Sequence, residues 1–169
     1  MKISKILTVI ALSLMGLFYL TSCYDEAKAV DTAKTATART ALEWHGIQDL
    51  ANLQAKNPKK VIVDIYTDWC KWCKVMDQKT FADPAIAPYL ADNYHLIKLN
   101  AEDKNSLTFN GKAYAFVQQG KRGYHQLAAE LLKGSMSYPS FVVLDENMNI
   151  SKVIKGFKNS QQFKAELEN

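Results

Sequence analysis

The pattern of hydrophobic and polar residues divides the chain into helix-like and strand-like segments from about residue 42 onward. Apolar residues recur at helical spacing over residues 47–53, and this run ends at Asn57-Pro58. Residues 61–66 form an almost uninterrupted β-prone run, as expected for a strand buried on both faces. The same two patterns predict helices over 71–80, 84–91, 124–133 and 160–168, and strands over 94–99, 140–144 and 150–154.

The order of these segments predicts an α/β fold with a central mixed β-sheet flanked by helices. Strand–helix–strand alternation over residues 61–99 indicates a parallel unit. The short turn at residues 145–147 indicates an antiparallel hairpin between the last two strands. Asn110-Gly111, between two β-prone runs, predicts a small extra hairpin in the long segment before Pro139.

The N-terminal 22 residues match the pattern of a secretory leader. Lys2 and Lys5 supply its positive charge, and the mostly apolar run over 6–20 is shorter than the roughly 20 residues of a membrane span. Residues 20–23 (Leu-Thr-Ser-Cys) resemble the lipobox of bacterial lipoproteins, in which the cysteine becomes the lipidated N-terminus. The alternative interpretation is a single transmembrane anchor.

This interpretation divides the chain into three parts. Residues 1–22 are a lipoprotein signal peptide, 23–41 are the lipidated Cys23 with a flexible tether, and 42–169 are the folded domain. Several acyl chains on Cys23 give stable membrane anchoring. We therefore expect a protein of the bacterial cell envelope, anchored by lipid, with its domain facing the periplasm or the exterior.

Charge and composition exclude several other classes. The 169 residues carry 21 basic and 17 acidic side chains, a net charge of +4 that falls to +2 without Lys2 and Lys5. This excess is too small to indicate nucleic-acid binding. No glycine-rich phosphate loop occurs, and the sequence implies no cofactor.

The three cysteines divide into one candidate for lipidation, Cys23, and one Cys-x-x-Cys pair, Cys70 and Cys73. The pair follows a predicted buried strand and opens a predicted helix. The backbone N–H groups and dipole of that helix, with the adjacent Lys71, stabilise a thiolate at Cys70. We expect Cys73, one turn further in, to be more buried and to act as the resolving thiol.

Two other interpretations of the pair are half of a zinc site and a static disulfide. A structural zinc site needs four ligands, and His45, His95 and His125 lie far apart in the sequence. A disulfide across two residues closes almost no loop and therefore stabilises little. Neither alternative is favoured, and no metal site is predicted.

Residues 63–73 resemble the active-site segment of thioredoxins. Continued through Pro84, the run resembles the branch that includes the periplasmic C-terminal domain of the thiol–disulfide interchange protein DsbD. The resemblance covers roughly residues 42–168. It implies a thioredoxin fold with a small hairpin and helix insertion before a cis-proline, and thiol–disulfide exchange with protein clients.

The resemblance also implies roles for particular side chains. Asp64 matches the buried acid that helps to move the proton of the resolving thiol, and burial predicts a raised pKa. Lys98 matches a lysine that often neighbours this acid, although strand alternation equally allows it to face solvent. Pro139 matches the cis-proline of the client-binding loop. The expected client contacts are Trp69, Lys71, Trp72, Tyr138, Pro139 and Gly156.

The Lys-Trp dipeptide between the cysteines departs from the Gly-Pro of thioredoxin, so the direction of electron flow is not implied. We expect a disulfide reductase or electron relay that is fed by a membrane donor of the DsbD type, because this chain has no multi-span domain. The alternatives are a disulfide oxidase or isomerase, and a non-catalytic copper or zinc chaperone on the same fold.

Overall fold

A computed structural model describes residues 42–169 of the chain. The predicted signal peptide, the lipidation site Cys23 and the tether up to residue 41 lie outside the described residues. Within 42–169 no helix is both long and apolar enough to cross a membrane. The helices of this part are α1 (Leu50–Lys56), α2 (Lys71–Val75), α3 (Ala87–Asn93), α4 (Gln126–Leu131) and α5 (Ser160–Glu168).

The strands of the described domain form one five-stranded sheet and two hairpins. The sheet has the order β1-β3-β2-β8-β9, and the hairpins pair β4 with β5 and β6 with β7. The strands are β1 (Trp44–Gly46), β2 (Lys60–Tyr66), β3 (Tyr94–Asn100), β4 (Leu107–Phe109), β5 (Lys112–Tyr114), β6 (Phe116–Gln119), β7 (Arg122–His125), β8 (Ser140–Leu144) and β9 (Ile150–Lys155).

The sheet is mixed, as the sequence predicts. β1 and β2 are each parallel to β3, whereas β8 runs antiparallel to both β2 and β9. β2 lies at the centre and is buried along nearly its whole length, which explains its unbroken β-prone sequence. The carboxyl ends of the parallel strands therefore meet at one edge of the sheet, where the chain leaves β2 toward the cysteines.

Apolar side chains form a core on each face of the sheet. On one face α1 and α4 pack over residues of β2, β3 and β8, with Leu127 and Val142 fully buried. The other face is covered by α2, α3 and α5, where Phe81, Phe141 and Phe163 pack edge to face at centroid distances of 4.9 to 5.6 Å. No disulfide other than Cys70–Cys73 is present among the described residues.

The Asn110-Gly111 hairpin is confirmed, and a second hairpin follows it. Asn110 and Gly111 both have positive φ, 49° and 74°, which is the backbone of a two-residue type I′ turn. The second hairpin, β6–β7, was not predicted, because its Tyr124 and His125 fit the apolar spacing of the helix that follows. Strand β1 was also missed, since three residues are too short for a periodic signal.

Two predicted helix starts are wrong. A helix does not begin at Pro84, because Asp83 organises a turn instead: its side chain accepts the Ala85 N–H, and its carbonyl accepts from Ile86 and Ala87. Pro88 has no N–H with which to continue a helix from residue 84, so α3 begins at Ala87.

The helix predicted over 124–133 begins only at Gln126. Tyr124 and His125 pair with β6, and the His125 side chain then caps α4 by accepting the Leu127 N–H. The helix predicted over 71–80 is present, but residues 76–80 form a π-turn in which the Phe81 N–H reaches the Met76 carbonyl at 2.9 Å.

Candidate active site

The Cys70–Cys73 pair lies where the chain turns from β2 into α2, and it forms a disulfide with an S–S distance of 2.03 Å. The Cys70 N–H donates to the Thr67 carbonyl at 3.1 Å, which closes the turn after β2. Cys70 is the N-cap of α2, and its Sγ accepts the Cys73 N–H at 3.1 Å. The predicted position of Cys70 at a helix N-terminus is therefore confirmed.

The expectation that Cys73 is more buried than Cys70 is wrong for the disulfide form. Both residues are buried, and each retains 4% of its exposure. The disulfide and the N-cap hydrogen bond hold the Cys70 side chain back over the first turn of the helix, so neither cysteine protrudes.

Asp64 lies in the middle of β2 and is 1% exposed. Directly opposite in the parallel register is Lys98 of β3, whose Nζ lies 2.6 Å from Asp64 Oδ2. The same Nζ lies 2.5 Å from Oδ1 of Asp77, which is on the π-turn after the cysteine pair. Lys98 therefore points toward the site and not into solvent, the alternative that strand alternation left open.

The electrostatics of this group follow from burial. Loss of solvation raises the pKa of Asp64 from 3.8 to about 6, because the charge of Lys98 offsets only part of the burial effect. Burial acts to lower the pKa of Lys98, but the charges and hydrogen bonds of Asp64 and Asp77 outweigh it, so that pKa is raised. The prediction of a raised pKa for Asp64 is confirmed.

Aromatic rings enclose the remaining sides of the Lys98 ammonium group. Its Nζ lies 4.6 Å from the centre of the Trp44 ring and 5.4 Å from that of Tyr66. Asp64 Oδ1 has no hydrogen-bond partner among the described residues, so one oxygen of this buried carboxyl group is left without a hydrogen bond. Sequence reasoning missed Asp77 and Trp44, although Asp77 lies four residues after Cys73, on the same side of a helix.

The loop before β8 contains a cis peptide bond between Tyr138 and Pro139, as the resemblance implies. Gly156, which follows β9, has a φ of 75° and donates its N–H to the Pro139 carbonyl at 2.8 Å. This bond extends the β8–β9 pairing past Ser140 and Lys155. Pro139 and Gly156, both predicted site residues, are thus held against each other.

Tyr138 also contacts the segment that carries the cysteines. Its ring packs edge to face on Trp69 at 5.8 Å, and the Trp69 Nε1–H donates to both Glu102 carboxylate oxygens at 3.1 Å. Burial and the charge of Glu102 raise the pKa of Tyr138. Glu102 was not predicted, because nothing in the local sequence links residue 102 to residue 69.

A second aromatic pair lies within and beside the cysteine motif. The Trp72 ring packs on Phe157 at 5.2 Å, and Trp72 is 58% exposed. Lys71, beside it, is exposed. Of the predicted residues, the structure groups Asp64 with Lys98, Trp69 with Tyr138, and Pro139 with Gly156. Phe157 was missed.

Metal-binding side chains do not cluster in the described domain: no group of three or more His, Cys, Asp or Glu residues is close enough to hold an ion. The histidines are separate from the cysteine pair. His95 hydrogen-bonds the Asn57 carbonyl, and His125 bonds Asn105 and Leu127.

Comparison with solved structures supports the fold. The chain superposes on a DsbH oxidoreductase with a TM-score of 0.53 and 15% identity, covering 78% of this chain and 85% of that one. A thioredoxin from Thermus thermophilus gives a TM-score of 0.54 and 20% identity, covering 75% and 85% respectively. The domain has a thioredoxin fold.

Comparison with known sequences finds related proteins. The thiol:disulfide interchange protein DsbD of Pectobacterium atrosepticum is 37% identical over 82 residues, which is 45% of this chain and 14% of that protein. DsbD of Escherichia coli K12 is 38% identical over 66 residues, which is 38% of this chain and 12% of that protein. The chain therefore matches only a small part of the length of these relatives.

A family model described as Thioredox_DsbH, "Protein of unknown function, DUF255", matches residues 32–144, which is more than half of the chain. That stretch includes the cysteine pair, Asp64, Lys98 and the cis-proline. The chain belongs to this thioredoxin-like DsbH family.

Proposed function

We propose that this chain is an extracytoplasmic thiol–disulfide oxidoreductase that works as a disulfide reductase or electron relay through Cys70 and Cys73. The observation that carries the proposal is the disulfide at the N-terminus of α2, which follows the strand that carries the buried Asp64. The loop with the cis Tyr138–Pro139 bond contacts the residue before Cys70 through the Trp69–Tyr138 ring pair. Sequence similarity to DsbD over 82 residues supports the same activity.

In the reducing direction the reaction starts from the dithiol form. The Cys70 thiolate, stabilised by the N-terminus of α2, attacks one sulfur of a client disulfide, and the other client sulfur leaves as a thiol. Cys73 then loses its proton and attacks the Cys70 sulfur, which releases the second client thiol. Two electrons pass to the client, and Cys70 and Cys73 finish as the disulfide.

Asp64 is the acid–base group of this cycle. A carboxyl group with a pKa near 6 exchanges protons readily near neutral pH, so Asp64 takes the proton of Cys73 in one direction and returns it in the other. Lys98 fixes one oxygen of Asp64 at 2.6 Å and leaves the other free. Lys98 is thus a positioning residue whose charge also tunes the acid.

The client binds as an extended segment across the cysteines and the loop before β8. Its contacts are Trp69, Lys71, Trp72, Tyr138, Pro139 and Gly156. Exposure of Trp69 and Trp72, 59% and 58%, supports this role, because large apolar side chains on a surface are characteristic of contact sites.

The proposed location is the bacterial cell envelope. The leader pattern over residues 1–22 and the lipobox-like residues 20–23 support lipidation at Cys23, with the domain held on the periplasmic or exterior side. The oxidised pair must then be re-reduced there, and we assign this step to a membrane donor of the DsbD type.

Reduction of insulin disulfides with dithiothreitol as the electron source tests the activity. We expect turnover by the wild-type domain, none by Cys70→Ser, and a trapped mixed disulfide on Cys70 in Cys73→Ser. A measured potential of the Cys70/Cys73 couple below about −200 mV supports a reductase. Turnover that survives Cys70→Ser would refute the proposal.

An oxidase is the second candidate, and the N-cap position of Cys70 next to the exposed Lys71 favours it, since both stabilise a thiolate. A strong oxidant has a potential near −120 mV and a very acidic attacking thiol, in the range of about 3.5. Titration of Cys70 by iodoacetamide alkylation separates the two candidates, because a pKa near that of a free thiol excludes the oxidase.

A further inference from the structure

The distribution of exposed apolar side chains around the disulfide is uneven. Four large apolar residues are exposed in the described domain: Trp69, Trp72, Ile150 and Phe157. Trp69 hydrogen-bonds Glu102 and packs on Tyr138. Trp72 and Phe157 contact each other at 5.2 Å and remain 58% and 37% exposed. We call these two residues the Trp72–Phe157 platform.

The platform is held in place by the backbone beneath it. The loop that carries Phe157 is fastened to the helix that carries Trp72, because the Lys158 N–H donates to Met76 Sδ at 3.3 Å. Thr80 Oγ1 donates to the Lys158 carbonyl at 2.6 Å. Two rings fixed in this way offer apolar area with little loss of side-chain entropy on binding.

Lysine residues lie next to both members of the platform in the sequence. Lys71 directly precedes Trp72, and Lys155 and Lys158 lie two residues and one residue from Phe157. Within residues 42–169 none of these three lysines forms an ion pair. The other exposed tryptophan, Trp69, instead donates its ring N–H to the carboxylate of Glu102.

We propose that the Trp72–Phe157 platform selects the partner: it binds an extended protein segment in which an acidic residue and a large apolar residue precede the reacting cysteine. The apolar side chain packs on the two rings, and the acidic one faces Lys71, Lys155 and Lys158. This inference rests on the proposed function, because the selected segment is that of the client. Phe157 and Lys158 are then specificity residues and take no part in the chemistry of the sulfurs.

Three short cysteine peptides, each blocked as a mixed disulfide with 2-nitro-5-thiobenzoate, test the selectivity. The residues before the cysteine are aspartate and phenylalanine, lysine and phenylalanine, or aspartate and serine. In a single turnover the pre-reduced domain breaks the mixed disulfide, forms the Cys70–Cys73 disulfide and releases the peptide thiol and the coloured nitrothiobenzoate thiol. The blocking group is the same in all three, so it cancels in the ratios of the rate constants.

With the wild-type domain we expect the aspartate–phenylalanine peptide to react fastest. Phe157→Ala should slow this peptide about three- to tenfold, because the peptide's phenylalanine can no longer pack on the Phe157 ring, and leave the aspartate–serine peptide unchanged. The matched control is Ile150→Ala, which removes an equally exposed apolar side chain from the far end of β9. It should change none of the three rates.

The contribution of the lysine charges to this selectivity is tested with Lys158→Gln. Loss of one surface charge should slow the aspartate–phenylalanine peptide about two- to fivefold, speed the lysine–phenylalanine peptide, and lose its effect in high salt. Lys60→Gln, an exposed lysine at the opposite end of the central strand, is the control. The redox potential of Cys70/Cys73 should be the same in all of these variants.

Equal rates for the three peptides with the wild-type domain, or equal losses in Phe157→Ala and Ile150→Ala, would overturn the selectivity and leave the oxidoreductase intact. Failure to reduce any peptide or insulin would instead overturn the proposed function. If Phe157→Ala abolished binding of the domain to phosphatidylglycerol vesicles, the platform would be a membrane contact. If it abolished self-association in sedimentation experiments, the platform would bind a second copy of the chain. Either result would also contradict this inference.

Discussion

Single residues set the chemistry of the site, and Asp64 is the buried acid among them. A carboxylate that is 1% exposed has lost nearly all of its hydration, and a single lysine does not fully replace it. Burial of this group therefore lowers the stability of the fold, which is consistent with the acid–base role proposed for Asp64.

Replacing Asp64 by asparagine should therefore stabilise the oxidised protein in a pH-dependent way. The pKa of Asp64 is about 6 in the folded state, above its unfolded value of 3.8, so ionisation disfavours the folded form as pH rises through this window. We expect Asp64→Asn to raise the free energy of unfolding by about 1–3 kcal/mol at pH 8 and by little at pH 4.

Urea denaturation at both pH values measures this difference. Asp92→Asn, at an exposed position of α3, is the control. The same Asp64→Asn variant should reduce insulin at least tenfold more slowly at pH 7. Equal stability changes at pH 4 and pH 8 would show that the carboxyl group is not titrating as described.

Lys98 tunes this acid, and its removal should move the acid's titration. The charge of Lys98 lowers the pKa of Asp64, so Lys98→Gln should shift the acid limb of the pH–rate profile to higher pH. Lys112→Gln, which breaks the exposed pair with Glu130, is the matched control and should leave the profile in place. If the role of Lys98 were purely structural, Lys98→Gln would lower the rate at every pH and leave the midpoint of the acid limb unchanged.

At the scale of elements, His125 joins three pieces of the insertion before the cis-proline. It ends β7, it is fully buried, its Nδ1 accepts the Leu127 N–H at the start of α4, and its Nε2 lies 3.2 Å from the Asn105 carbonyl. Since Nδ1 accepts a hydrogen bond, Nε2 is the nitrogen that donates to the Asn105 carbonyl.

His125→Ala should cost about 2–4 kcal/mol of stability, because the variant lacks the helix cap and leaves a cavity in place of a buried ring. His125→Asn should recover part of this loss, because asparagine is a good N-cap. Thermal denaturation monitored by circular dichroism gives both values. His45→Ala, at a partly exposed position, serves as the comparison, and a cost as large there would contradict the assigned role.

The first hairpin depends on its turn. Gly111 has a φ of 74°, and a side chain added there would meet nothing within 4 Å, so the only penalty of Gly111→Ala is its backbone conformation. We expect a loss of about 1 kcal/mol, and a smaller loss for Gly111→Asn, because asparagine tolerates this conformation. Denaturant unfolding measures both, and a loss above about 3 kcal/mol would indicate a contact that the structure does not contain.

At the scale of the whole molecule, the core beneath the second face of the sheet supports the site above it. Phe163 of α5 is fully buried against Phe81 and Phe141. The same helix follows directly on the loop that carries Phe157. Packing of α5 therefore fixes both the stability of the domain and the position of one half of the Trp72–Phe157 platform.

Phe163→Ala should cost about 3–5 kcal/mol, as expected for a large ring removed from a packed core. Phe157→Ala should cost far less, because Phe157 is 37% exposed. Urea unfolding of the two oxidised variants compares these losses directly. Similar losses would mean that Phe157 is a core residue, contrary to its exposure.

Local sequence patterns were sufficient to predict much of the secondary structure of this protein. Residues 61–66 indicate a buried strand because nearly every side chain there is β-prone, and the Asn110-Gly111 turn followed from backbone preferences of two adjacent residues. The cysteine pair and its place at a helix N-terminus needed only four residues and the strand before them. The predicted helix starts at residues 84 and 124 were wrong because another feature outweighed the helical pattern. At residue 84 this feature is Pro88, and at residue 124 it is the pairing of β7 with β6.

The fold class, the redox pair and the acid in the central strand are encoded in neighbouring residues and can be predicted from them. The direction in which Lys98 points, its contact with Asp77 and the contact of Phe157 with Trp72 arise only in the folded molecule. These contacts join residues far apart in the chain, as the bond between Met76 and Lys158, 82 positions apart, illustrates. No local pattern contains them, because they arise from the packing of the loop after β9 against α2.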